Sequence, residues 1–151
     1  MKKWISLYNI IILMGVFLCG GCTTYLIDSN PQGLRVSVDN IECGRTPCEY
    51  TWTHGGEYGS KIIRVYPPTR QQLKDYEQKN NKIVSVWTNE EIAKTVYSNN
   101  EGGTVFFQFI TSEYDVPQTE KDAEWVKSAI RQDWEHLEKQ RELILRHENV
   151  E

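Results

Sequence analysis

Cys43-Gly44-Arg45-Thr46-Pro47-Cys48 lies at the centre of the stretch from Tyr25 to Pro67, and the reading of that stretch decides the fold. The hexapeptide is a turn with a cysteine at each end, set between alternating runs. Leu34-Arg35-Val36-Ser37-Val38-Asp39 alternates apolar and polar side chains, the period of a half-buried strand. Before it, Tyr25-Leu26-Ile27-Asp28 reads as a short strand, and Ser29-Asn30-Pro31-Gln32-Gly33 as a turn. After it, Glu49-Tyr50-Thr51-Trp52-Thr53 is β-prone until His54-Gly55-Gly56 breaks it. Lys61-Ile62-Ile63-Arg64-Val65-Tyr66 closes the set before Pro67-Pro68. Short strands with frequent turns predict a small antiparallel sandwich or sheet.

The same residues resemble the PEGA domain, a small β module of bacterial surface and envelope proteins. Pro31-Gln32-Gly33-Leu34 stands where the family's name motif falls, matching at Pro31 and Gly33 and departing at Gln32 and Leu34. Val36-Ser37-Val38-Asp39-Asn40 resembles the strand and turn that follow, with Asn40 where glycine is common. Gly44-Arg45-Thr46-Pro47 resembles the family's Gly-x-Thr-Pro turn. The resemblance implies a fold and an envelope location. Its motifs are structural turns, so it implies no chemistry.

Upstream, Met1-Lys2-Lys3 is basic and Trp4 to Leu18 is almost wholly apolar, followed by Cys19-Gly20-Gly21-Cys22. This order is that of a secretory leader. The apolar run is fifteen residues with Ser6 and Asn9 inside it, short of the roughly 20 needed to span a bilayer. Gly20-Gly21-Cys22 resembles the lipobox of bacterial lipoproteins, with Leu18 four positions before the cysteine and Cys19 where leucine is usual. The expectation is a signal peptide over 1–21, lipidation of Cys22, and a lipidated N-terminus over 22–24. Cleavage there discards Cys19 and acylation occupies Cys22, leaving Cys43 and Cys48 as an even pair in an oxidising compartment.

A disulfide between Cys43 and Cys48 is therefore expected, contributing ~2 kcal/mol across so small a loop. Metal binding needs further ligands, and a redox pair prefers a C-x-x-C that opens a helix. Loss of Lys2 and Lys3 from the 17 basic residues leaves 15 against 21 acidic ones, a net charge of −6. That balance excludes a phosphate-neutralising face, so no nucleic-acid partner is expected. Attachment to membrane is expected through lipid rather than charge. By resemblance to bacterial lipoprotein sorting, Thr23 follows the cysteine in place of the aspartate associated with inner-membrane retention, which implies that in an organism with two membranes the outer one, facing the periplasm, is expected.

Downstream, residues 68–118 read as a mixed strand and helix extension packed on the module. Arg70 to Lys82 is a polar surface helix or loop, and Ile83 to Trp87 a strand. Asn89 suits a helix N-cap, with Glu90 and Glu91 in a first turn and Ile92 and Val96 sharing a face. Thr104 to Ile110 reads as one apolar strand that joins the module's core. Residues 119–151 form an amphipathic helix, with Thr119 and Asp122 as a capping pair. Its stripe is Val126, Ile130, Trp134 (or Asp133), Leu137 and Ile144, broken by Arg141. At 1.5 Å per residue it reaches roughly 40 Å, so part of it packs in its own chain or pairs with a partner's helix. The fold class is α+β: a small PEGA-like β module over 25–67, extra strands, and a long C-terminal helix.

No catalytic residue, metal site or cofactor is expected. His136 and His147 lie three helical turns apart, and His54-Gly55-Gly56-Glu57 has no nucleophile tied to it. Gly102-Gly103 lacks the pattern of a phosphate loop. Two readings of function remain. The first is a lipid-anchored, non-catalytic envelope module that binds or positions another envelope protein. The second is a binder of peptidoglycan or surface polysaccharide, with Tyr50, Trp52 and Tyr58 as the contact face; core packing accounts for Tyr50 and Trp52 equally.

Overall fold

The alternation at Tyr25 and Ile27, and at Val36 and Val38, becomes the inner lining of two facing sheets in the computed structural model, which describes residues 22–53, 59–97 and 102–148. Five strands come from the N-terminal stretch: β1 (Cys22–Asn30), β2 (Arg35–Val38), β3 (Ile41–Arg45), β4 (Cys48–Thr53) and β5 (Ser60–Val65). Then follow α1 (Arg70–Asn80), β6 (Lys82–Trp87), β7 (Ile92–Tyr97), β8 (Gly103–Gln108), β9 (Ile110–Asp115) and α2 (Glu120–Glu148). One sheet has the order β4-β1-β8, the facing one β3-β2-β5-β7, and β6 pairs with β9 alone. Pairing is antiparallel except that β8 runs parallel to β1. The whole is an α+β fold.

The two facing sheets share one core of Ile27, Leu34, Val36, Val38, Ile63, Val65, Phe107 and Phe109, with Ile92, Val96 and Val105 packed against it. Phe107 and Phe109 are fully buried, yet they lie some forty residues beyond Tyr66 in sequence. The apolar strand thus joins the module's core as expected. It divides at Phe109, whose N–H donates to Asn30 O and whose carbonyl accepts from Thr88 N. These bonds turn the chain out of the sandwich and into the pair with β6.

The two family-like turns dock on one another through Thr46. Its buried hydroxyl is 2.6 Å from Ser29 Oγ and accepts from Leu34 N at 3.1 Å, while Gly33 N donates to Thr46 O at 2.7 Å. Gly33 has φ of +84°, a conformation that glycine adopts without Cβ strain. Asp39 and Asn40, at φ 49° and 68°, make the two-residue turn between β2 and β3. Asn40 thus serves where the family favours glycine, because asparagine tolerates the left-handed region.

Three expectations change. Strand β3 occupies part of what reads as turn, and it pairs with β2. Residues 92–97 are strand, not the helix suggested by Asn89; β7 pairs along its length with β5. Ile92 and Val96 share a face in either structure, because four residues is two full strand periods as well as about one helical turn. Cys22 already lies in strand β1, paired with Thr53, so 22–24 is part of the module.

Helix α1 is better defined than its polar sequence suggests. Thr69 and Gln72 form a reciprocal capping box and Asn81 closes the helix in the left-handed region. It covers one face of the β6–β9 pair: Tyr76 OH donates to Glu113 Oε2 at 2.7 Å and Val84 N to Glu77 Oε1 at 2.7 Å. Alternation on β9 sends Ser112 and Tyr114 to the opposite face, where α2 lies.

Parallel pairing of β8 with β1 brings Gly102 against the partner backbone. A Cβ at 102 would fall 2.1 Å from Thr24 O. Gly102→Ala is expected to force the strands apart and cost about 1–3 kcal/mol, read as a lower denaturation midpoint.

Candidate interaction surfaces

Cys22, at the open end of β1, is exposed. Its position in the strand register means that any group attached to its sulfur sits one residue from buried Thr23. The chain has no helix among the described residues long and apolar enough to cross a membrane. Residues 1–21, including Cys19, lie outside the described part.

Cys43 lies on β3 and Cys48 opens β4, so the two stand on different sheets of the sandwich where the chain crosses between them. Both are half-buried thiols, each close enough to influence the other's ionisation. Burial pushes both thiols up; Cys48, with Cys43 beside it, reaches about 11. A thiol held protonated near neutrality is a poor nucleophile, which suits a structural pair. In reduced, folded protein, Cys48 is expected to alkylate far more slowly than in denatured protein at mildly alkaline pH, as mass spectrometry of timed iodoacetamide quenches would show.

The aromatic face is core. On β4 the alternation turns Cys48, Tyr50 and Trp52 inward and Glu49 and Thr51 outward. Trp52 is 8% exposed and Tyr50 packs against the buried cluster. Trp52 is thus closed to a sugar, and Tyr50 is half-buried against the core. Tyr58, His54 and the glycines after it lie outside the described residues.

Helix α2 divides into two halves. Thr119 caps its start, accepting from Asp122 N at 3.2 Å. Val126 is buried, and Ile130 and Leu137 are half-buried. Position 133, not 134, completes this stripe. Asp133 Oδ2 accepts from Ser85 Oγ at 2.5 Å, Ser112 Oγ at 2.7 Å and Tyr114 OH at 2.8 Å. Burial opposes the charge on Asp133, but the three hydroxyls outweigh it and hold its pKa below the ordinary value. Trp134, expected in the stripe, is 49% exposed, and Ile144 is 59% exposed.

From Glu138 to Arg146 every residue of α2 is exposed. This part carries Leu143, Ile144 and Leu145 in succession, all more than half exposed. Leu143 and Leu145 belong to no single stripe with Ile144, which is why a periodic reading of the sequence passes over them. His136 is bonded only locally in this part of the helix, to Gln140 at 2.9 Å. Among the described residues no group of three His, Cys, Asp or Glu side chains converges as metal ligands.

Residues 22–66 match the model of the PEGA domain. The match begins at the first residue of β1 and ends one residue after β5, so it covers five of the seven strands in the two facing sheets. No curated protein and no solved structure matches the chain.

Proposed function

We propose that this chain, whose residues 22–66 match the PEGA domain, is an exported lipoprotein anchored through Cys22, and that it binds or positions another envelope protein without catalysis. The carrying observation is the divided helix. Its first half, with Val126 buried, is pinned to β6 and β9 through Asp133, while its second half carries Leu143 and Ile144 more than half exposed. Helical stability in proteins comes mostly from packing an apolar face rather than from propensity, so these side chains gain by being buried. A partner's helix or groove is the surface that fits it.

The leader-like start and Gly20-Gly21-Cys22 support the anchor, as does the exposure of Cys22. Adjacent thiols on facing sheets support a Cys43–Cys48 disulfide once the protein reaches an oxidising compartment. The bond would tie one sheet to the other. In a two-membrane organism the outer membrane, facing the periplasm, is the proposed location, on the strength of Thr23.

The test is photo-crosslinking in the native envelope from a benzoylphenylalanine placed at position 144. A discrete adduct with a second protein is expected, lost when Leu143 and Leu145 become aspartate. No adduct from 143, 144 or 145 would remove the helix as the contact.

A further inference from the structure

The outer face of the β4-β1-β8 sheet carries a second feature, independent of the helix. In the pair of β1 with β8, Asp28 stands level with Phe106. Phe107 turns into the core, so Phe106 turns out, and it is 43% exposed. Helix α1 rises beside this face and presents Asp75, Tyr76 and Lys79, one helical turn apart. Between them lies a groove of about 480 Å³, closed at one end by the turn that carries Gln32. That volume falls in the range of small-ligand sites, roughly 300–1,000 Å³.

The groove's walls are a mixture of acceptors and donors around one ring. Asp28 accepts from Ser29 N and Gln32 Nε2 at 2.8–3.3 Å, which holds its carboxylate in place with lone pairs to spare. Asp75 accepts from Gln71 Nε2 at 2.8 Å. Lys79 is a donor among the lining residues, while the Gln32 amide nitrogen is already given to Asp28. Tyr76 is already committed to Glu113 and serves as wall.

We propose that this groove is a glycan subsite in which a pyranose ring of a neutral saccharide lies on Phe106. A sugar has a C–H face, which suits an aromatic ring, and vicinal hydroxyls, which both donate and accept. Carboxylates at Asp28 and Asp75 accept hydrogen bonds from paired hydroxyls, and Lys79 donates to the ring and hydroxyl oxygens. A purely cationic ligand would leave Lys79 opposed, and an anionic one would meet Asp28 and Asp75.

The test is saturation-transfer NMR and calorimetry on the full chain in detergent micelles, with chitotetraose and cellotetraose as separate probes. Saturable binding of at least one is expected; chitotetraose alone would point to an N-acetylated, wall-type glycan and cellotetraose alone to an unmodified polysaccharide. Phe106→Ala is expected to weaken binding about tenfold or more, a loss of ~1.4 kcal/mol, and Asp75→Ala to weaken it several-fold. Both positions face outward, and circular dichroism checks that each variant folds. Trp134→Ala should leave binding unchanged. No saturable binding of either probe, binding indifferent to Phe106→Ala, or preference for a lysine-rich peptide would overturn the proposal. Crosslinking from position 144 is unaffected by any of these outcomes, so the two proposals fail separately.

Discussion

A chain comprising only residues 22–66 is expected not to fold, although these residues are the whole of the PEGA match. The cut removes Phe107 and Phe109, both fully buried in the shared core, and with them Ile92, Val96 and Val105. It also strips β8 from β1 and β7 from β5, leaving two central strands as bare edges. Replacing Phe107 alone by alanine should cost about 3–5 kcal/mol. A small domain has only about 5–15 kcal/mol in total, so losing the whole set exceeds what the fragment retains. Amide dispersion in a proton–nitrogen correlation spectrum is the readout. A collapsed spectrum is expected for 22–66 and a dispersed one for the complete chain. A dispersed, cooperatively melting fragment would show that β7 and β8 only decorate the module.

Removing the Asp133 carboxylate is expected to release α2 from its sheet. Asp133→Ala leaves Ser85, Ser112 and Tyr114 without their shared acceptor. Ser85 is buried, so the loss should come to about 2–3 kcal/mol. The sign of the acid dependence follows from the lowered pKa. The folded protein holds Asp133 ionised below the ordinary value of 3.8. Its stabilising contribution is therefore complete above that value and disappears as pH falls through the lower folded one. Asp133→Asn should flatten this acid limb in a plot of unfolding free energy against pH. An unchanged limb would mean that the hydroxyl cluster does not discriminate the charged form. Hydrogen exchange along α2 provides the local reading, with protection lost first over residues 126–137 in Asp133→Ala.

The strands within 25–66 other than β3, and the long helix, could be read from the sequence because of their local pattern. Leu34 to Val38 alternates, and Glu120 to Glu148 is free of glycine and proline. What could not be read depends on non-local partners. Strand β3 has no alternation to give it away: Ile41 is 74% exposed and Gly44 stands second from its end. Strand β7 imitates a helix start because Asn89, Glu90 and Glu91 satisfy helix-capping chemistry, and only pairing with β5 decides against it.

Within α2, apolarity selects Trp134 over its neighbour, but three hydroxyls from two distant strands select Asp133. The aromatic alternation of Tyr50 and Trp52 was ambiguous for a different reason. A period of two places them on one face without saying which face is inside. The same rule applied to Phe106 and Phe107 requires one of the two rings to point outward. Sequence alone does not say that α1 rises beside that ring.

The most direct test of the account is the intact mass of the protein purified from its native membrane, measured before and after reduction. The account predicts a chain that begins at Cys22, carries two or three acyl chains, and gains the mass of two hydrogens on reduction as the Cys43–Cys48 bond opens. A chain that retains residues 1–21, bears no lipid and does not change on reduction would contradict both the anchor and the disulfide.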